Sequence, residues 1–432
     1  MKIAYIVDHD IDITNGVSFQ SKQFLTWLAD NNHEIHLIFP SKRKKKNLSY
    51  GEHIHCYPVP AFSVPSYKEY CVPLPPLAAS LWLKKWDIDL IHAETINPVL
   101  LQMGYWIKFR TKAPMFNVLT ANIPYYSHLL FPKENLVKKI CFWYGRALMK
   151  RISNKIEGTF ILSEGVRKSL TQDFYSIDQK KVCAIKRPID LQRFSNGACE
   201  SGIFNRFDVP KGNRLVTLSR LCPTKNVDFL IRAFATYIYP KNSRLHFFIG
   251  GYGPLSGLLK KTVAGLNCPN IHFLGKIDFE SVPGFFKEAD YFLYGSLSET
   301  FGNVICEAKF SKLPVIALDD KAGVSSQIEN YMTGILVENQ VEKDFAAKFF
   351  ELYNNPELQE KIRHNAHWDV CLNNNPQKIY SNLLSVYKKF MQNGHATREE
   401  LNTLFPITQT CRDEWEPPVF VMTSSQRERM YD

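Results

Sequence analysis

One pattern constrains the fold more than any other. Short apolar, β-branched runs alternate with stretches of helical spacing along almost the whole chain. In the first half the runs are 2–7, 34–39, 90–93, 115–120, 159–163 and 181–185; in the second, 214–219, 245–250, 270–274, 291–294, 314–318 and 334–337. Runs this short, bounded by turn residues and separated by helical patterns, read as strands that cross over and pair in parallel. The expected fold class is α/β, with two Rossmann-like doubly wound sheets of about six strands each. Turn chemistry at Phe194-Ser195-Asn196-Gly197 and Pro210-Lys211-Gly212 places the division near 193–213. The expected domains are 1–200 and 201–370, then a helix over 371–393 that returns to the first domain, and a tail over 394–432 with no period. In open α/β sheets ligands lie beyond the carboxyl ends of the strands, so a cleft bounded by two such edges is the expected site.

The bulk properties narrow the class. The chain has 432 residues, 45% of them hydrophobic, and a mean hydropathy of −0.22, ordinary values for a globular protein. No run reaches the roughly 18 apolar residues of a membrane span, and residues 1–8 read as a first strand rather than a signal peptide. The expected location is the cytoplasm, with peripheral contact to the inner face of a membrane. Ten cysteines without a C-x-x-C pair fit neither a zinc site nor a disulfide framework, and no metal is expected.

The net charge of +11 favours anionic partners. Its densest part is Lys42, Arg43, Lys44, Lys45 and Lys46, which reads either as a solvated loop or as contact with acidic lipid headgroups. The aromatic, proline-rich stretch 57–76, with Phe62, Tyr67, Tyr70 and Leu74, reads either as an irregular loop packed on its domain or as an acceptor-facing apolar surface. No helix-turn-helix, zinc finger or RNP-like motif accompanies the charge, so nucleic acid is not expected.

The chemistry concentrates between Ser298 and Ala308. Glu299 and Glu307 flank a Phe301-Gly302-Asn303 turn that opens a helix. Two acids around a helix N-terminus suit a ligand that offers hydroxyls to the acids and phosphates to backbone N–H groups, such as a sugar on a nucleoside diphosphate. Upstream, Arg220 and Lys225 follow an apolar strand, where an arginine fork and a compact lysine charge can meet phosphate oxygens. Gly250-Gly251-Tyr252-Gly253-Pro254 resembles a dinucleotide fingerprint only superficially, since its glycines miss the G-x-G-x-x-G spacing. Gly251 and Gly253 therefore read as serving close packing as much as ligand contact. Asn15-Gly16-Val17 opens a helix after the first strand, where Gly16 lets backbone N–H groups approach a ligand.

Taken in this order, the motifs make residues 1–390 resemble the retaining glycosyltransferases of family four, which have the GT-B fold. The resemblance implies transfer of a hexose from a UDP- or GDP-sugar to a hydroxyl acceptor, a lipid or lipid-linked glycan among the candidates, with an α-linkage and no metal or cofactor. It implies that Arg220 and Lys225 hold the donor diphosphate, that Glu299 contacts the transferred sugar and that Glu307 accepts from the ribose. Gly16, Gly251, Gly253 and the N–H groups of Phe301, Gly302 and Asn303 complete the donor site. It implies a leaving diphosphate that itself takes the proton of the incoming hydroxyl.

The chain departs from the family pattern after 115–120, where Thr120 or Ala121 stands in place of a histidine near the reacting centre. Asn122, His128 and His92 are the acceptor-side candidates left; His92 reads equally well as a core histidine. The departure keeps a second reading open, a catalytically silent sugar-nucleotide or glycan-binding protein on the same scaffold.

Overall fold

The computed structural model describes residues 1–11, 16–41, 51–64, 67–74, 87–120, 136–167, 169–173, 176–196, 202–393, 400 and 404–405. All twelve expected runs are strands, each within two residues of the bounds read from the sequence. The chain divides into two compact units, one of residues 1–188 with 377–407, the other containing 189–376.

Unit 1 holds an eight-stranded sheet. Its strands are β1 (Lys2–Val7), β2 (Glu34–Ser41), β3 (Ile54–Val64), β4 (Tyr67–Pro73), β5 (Leu90–Glu94), β6 (Met115–Leu119), β7 (Gly158–Ile161) and β8 (Val182–Ala184), in the order β4-β3-β2-β1-β5-β6-β7-β8. Only β3–β4 is antiparallel. Unit 2 holds β9 (Arg214–Leu218), β10 (His246–Gly250), β11 (Ile271–Gly275), β12 (Tyr291–Tyr294), β13 (Val315–Leu318) and β14 (Ile335–Val337), all parallel, in the order β11-β10-β9-β12-β13-β14.

Strands β3 and β4 correct the reading of 57–76 as an irregular stretch. Prolines hide them, yet these prolines do not interrupt the ladder. In a parallel strand alternate residues face the same neighbour. His53 accepts from Ile35 on the β2 side, whereas the Pro60 carbonyl accepts from Leu74 on the β4 side. Pro58 and Pro60 therefore sit where a missing N–H does not face β2, which leaves the β2–β3 ladder intact.

The helices are α1 (Gly16–Asp30), α2 (Pro98–Thr111), α3 (Leu136–Ser153), α4 (Leu191–Asn196), α5 (Val227–Ala233), α6 (Ser256–Gly265), α7 (Val282–Glu288), α8 (Asn303–Phe310), α9 (Glu342–Tyr353), α10 (Pro356–Asn373) and α11 (Pro376–Asn393). Asn97 caps α2, its Oδ1 accepting from Val99 and Leu100 N–H. Helix α11 belongs to unit 1 through its aromatic face. Tyr380 stacks on Phe24, and Tyr387 packs against Phe116 and Phe160. The core of unit 2 is rich in phenylalanine, with Phe204, Phe248, Phe285, Phe286 and Phe292 buried on one face of the sheet. No helix among the described residues is long and apolar enough to cross a membrane.

Candidate functional site

At the carboxyl edge of unit 2's sheet, the loop after β9 stays zipped to the loop after β10. Ser219 N–H donates to the Gly250 carbonyl and Leu221 N–H to the Tyr252 carbonyl, both at 3.2 Å. This approach explains the two glycines. A Cβ on Gly251, whose φ is +121°, would lie 1.8 Å from the Ser219 carbonyl oxygen. One on Gly253 would lie 2.3 Å from that of Leu221. Gly251 and Gly253 thus hold the strand-end segment carrying Arg220, which is half-buried. The single turn Pro223–Lys225 follows, closed by Asn226 in the left-handed region.

Lys225 and Glu299 meet here. Glu299 Oε1 accepts from Lys225 Nζ, from the Tyr294 hydroxyl at 2.5 Å and from Ser296 Oγ at 2.9 Å. Burial opposes the charged carboxylate, but the Lys225 ammonium and these hydrogen bonds hold Glu299 below the ordinary range. Burial likewise opposes the charged Lys225, and Glu299 raises it well above the usual lysine value. The Glu299 backbone is fixed from the loop after β13. Its N–H donates to Asp320 Oδ2 at 2.8 Å, and its carbonyl accepts from Gly323 N–H at 2.9 Å. A Cβ on Gly323 would sit 2.6 Å from that carbonyl oxygen. Asp320 also accepts from the N–H groups of Ala322 and Val324, and burial pushes its carboxyl up to about 6.

Beyond Glu299 the chain enters α8 through Gly302, with φ +87°. The N–H groups of Phe301, Gly302 and Asn303 donate to no group among the described residues. That is the usual state of a helix N-terminus and a ready anion seat. One turn on, Glu307 Oε1 accepts from Arg193 at 3.2 Å. Arg193, on α4, also donates to the Phe279 carbonyl at 2.6 Å and lies 3.6 Å over the Phe279 ring. Burial pushes the Glu307 carboxyl up to about 7 even with this guanidinium beside it.

The structure therefore brings Arg220, Lys225, Gly251, Gly253, Glu299, Phe301, Gly302, Asn303 and Glu307 to the strand ends and adjoining loops of one unit. The sequence reading misses Tyr294, Ser296, Asp320, Gly323 and Arg193, which hold those groups in place. The Asp319-Asp320 pair just past a buried strand is a signal that could have found one of them.

In unit 1, Gly16 starts α1. His92, on β5, is buried among Tyr5, Phe24 and Tyr387. Both of its nitrogens are engaged, Nδ1 with the Tyr387 hydroxyl at 2.5 Å and Nε2 with Glu94 at 3.3 Å. Burial works against the Glu94 charge, yet His92 and Arg187 hold that carboxyl down to about 2. The candidates Asn122 and His128, Asn15, and the basic run Lys42, Arg43, Lys44, Lys45 and Lys46 lie outside the described residues. No group of three or more His, Cys, Asp or Glu suited to a metal occurs among the described residues.

Two family models match the chain, Glycosyltransferase Family 4 over residues 14–193 and Glycosyl transferases group 1 over residues 203–368. An alpha-monoglucosyldiacylglycerol synthase of Streptococcus pneumoniae is 23% identical over 388 residues, covering 88% of this chain and 85% of its own. An uncharacterized glycosyltransferase of Methanocaldococcus jannaschii is 21% identical, over 90% of this chain and 99% of its own. Among solved structures, Anabaena HepE in complex with UDP and glucose matches with a TM-score of 0.68 at 16% identity, over 90% of this chain and all of that one. The sucrose-phosphate synthase of Thermosynechococcus elongatus matches with a TM-score of 0.71 at 16% identity, over 90% of this chain and 99% of its own. The fold these structures share with the chain is GT-B.

Proposed function

Because the chain belongs to the family-four glycosyltransferases of group 1, we propose that it moves a hexose from a UDP- or GDP-sugar to a hydroxyl acceptor with retention of configuration. The observation that carries this reading is the Lys225–Glu299 pair beside three N–H groups at the start of α8 that have no partner among the described residues. A nucleoside diphosphate sugar answers each part. Its diphosphate takes the open N–H groups and Arg220, and its ribose hydroxyls donate to Glu307. Glu299 Oε2, which accepts from no group among the described residues, is left for a sugar hydroxyl. Lysine has three donors, so Lys225 can keep Glu299 and still reach a phosphate oxygen.

In the transfer itself the bond from the anomeric carbon to the diphosphate oxygen breaks and one to the acceptor oxygen forms. The acceptor's proton passes to the departing phosphate. Fixed cations facing that growing charge supply the stabilisation, with no protein nucleophile and no cofactor.

The acceptor is read as a lipid or lipid-linked hydroxyl taken up on unit 1 at a cytoplasmic membrane face. On α3, Ile140, Trp143 and Tyr144 are 56%, 68% and 61% exposed, flanked by exposed Lys139, Arg146, Lys150 and Arg151. The helix contains no acidic residue. Exposed aromatics among cations, with no opposing charge, suit an anionic bilayer surface. The test is nucleoside diphosphate release across UDP- and GDP-sugars, with and without dioleoylphosphatidylglycerol vesicles carrying dioleoylglycerol. Release from one donor, increased by the vesicles, is expected. Binding of a donor without release under any condition would favour the silent binding protein instead.

A further inference from the structure

Two buried histidines of unit 1, His92 within β5 and His9 just past β1, are in opposite states. β1 pairs with β5 in parallel, Tyr5 opposite His92 and Val7 opposite Glu94. His92 spends both ring nitrogens on Tyr387 and Glu94. His9, two residues past the end of β1, is only 6% exposed, and neither of its ring nitrogens has a hydrogen-bond partner among the described residues.

Its neighbours are already committed. Asp8 accepts from Ile96 N–H at 3.0 Å, and Asp10 accepts from Ser41 Oγ at 3.2 Å. Thr95 Oγ1 accepts from Asn97 N–H, while Asn97 caps α2. Glu94 accepts from Ser21 Oγ at 2.6 Å. Buried polar groups in folded proteins are almost always paired, and an orphaned one costs stability unless something else uses it. Here two orphaned atoms belong to one ring at the carboxyl edge of a parallel sheet, where α/β proteins bind ligands.

The ring chemistry selects the ligand class. The nitrogen nearest a charge is Nδ1, 3.6 Å from Asp8 Oδ1. A proton held on that side leaves Nε2 as a hydrogen-bond acceptor. A lone-pair acceptor beside a carboxylate repels anions and suits a neutral hydroxyl. We propose that His9 is a substrate contact, its Nε2 accepting a hydrogen bond from an acceptor hydroxyl other than the one that reacts, whose proton still passes to the departing phosphate. This rests on the transferase reading above and gives unit 1 an imidazole for the acceptor. In it Asp8, beyond hydrogen-bond distance at 3.6 Å, supplies the charge that favours the Nδ1–H tautomer.

The test uses the full chain, the donor that the panel selects, and monooleoylglycerol in dioleoylphosphatidylglycerol vesicles as the acceptor, since its second hydroxyl is left to meet Nε2 while the first reacts. His9→Ala is expected to lower acceptor-dependent transfer by at least about tenfold, the size of effect a lost buried hydrogen bond produces. The loss should appear mainly in the KM for acceptor, with nucleotide affinity unchanged, and added imidazole should restore part of the rate. His9→Leu should raise the melting temperature of the ligand-free protein, because it removes two unpaired polar atoms from a buried place. A His9→Ala protein with wild-type acceptor kinetics overturns the proposal. So does a fall in melting temperature shared by His9→Leu and His9→Gln, which would make the ring a packing element. A wild-type protein that releases no diphosphate from any donor contradicts the transferase reading itself, a result distinct from either of these.

Discussion

Lys225 and Glu299 lie 74 residues apart in sequence and form an ion pair, although the resemblance assigns them to different parts of a donor. The pair is mostly buried, with side-chain exposures of 21% and 12%. Removing one partner strands the other charge, which costs about 3–5 kcal/mol for a buried pair. Lys225→Met should therefore lower the melting temperature of the protein more than the double variant Lys225→Met/Glu299→Gln does. A double-mutant cycle by thermal unfolding checks this, and strictly additive losses would contradict a direct pairing.

The Glu307 carboxyl, ordinarily near 4.5, is pushed up to about 7 by burial, against the attraction of Arg193 and with Asp190 adding to the rise. If Glu307 takes the ribose as proposed, the ribose hydroxyls donate best to the ionised form, so a nucleotide should bind preferentially to the deprotonated protein. Affinity must then rise as pH increases through the folded pKa and level off above it. Between pH 6 and 8 the gain should be about tenfold for a group titrating midway. Titration calorimetry of UDP and GDP on wild type and Glu307→Gln measures it. The variant keeps only the pH dependence of the nucleotide's own phosphates; an equal slope in both proteins would remove Glu307 from the site.

Arg193 holds Glu307 from one side while donating to the Phe279 carbonyl on the other. Arg193→Ala takes away the cation, which raises the Glu307 pKa further and leaves more of it protonated at neutral pH. Nucleotide affinity at pH 7 should fall by about fivefold and recover at pH 8.5, as expected for a shift of about one pKa unit. Arg193→Lys should retain more affinity but lose the contact over the Phe279 ring. Unchanged binding in Arg193→Ala at pH 7 would show that the pair is unrelated to the nucleotide.

The glycines after β10 offer a test of positioning. Alanine at Gly251 would place its Cβ 1.8 Å from a backbone oxygen, an overlap that only a shift of the loop carrying Arg220 can relieve. Gly251→Ala should destabilise the protein by about 3 kcal/mol and reduce donor turnover. Gly257→Ala, where nothing lies within 4 Å, should be neutral or stabilise by about 0.5 kcal/mol within its helix. Thermal melts and donor turnover on the two variants decide it; equal tolerance would mean the two loops are not locked together.

Much of the fold was legible because a buried parallel strand must be apolar on both faces, and such runs stand out in a linear sequence. Strands β3 and β4 were not, because Pro58, Pro60 and Pro73 carry the opposite local signal and their tolerance depends on which neighbour each residue faces. In the candidate site, Arg220, Lys225, Glu299 and Glu307 were readable as charged groups at strand and helix ends. Their supports were not: Arg193 meets Glu307 across 114 residues, and Tyr294 and Asp320 act through geometry without a local spacing. His9 and His92 show the same limit. Both are buried histidines in or just past an apolar strand, and only the three-dimensional hydrogen-bond partners tell them apart.

The central claim is that unit 2 binds a nucleotide sugar and that the Lys225–Glu299 pair serves the transfer. It is tested most directly by measuring diphosphate release and UDP or GDP affinity together for wild type and Glu299→Gln. The account predicts release from one donor by wild type and a fall of about 10²-fold or more in the variant, with nucleotide affinity nearly unchanged. Turnover in Glu299→Gln within about twofold of wild type, against that expected loss, would contradict the account.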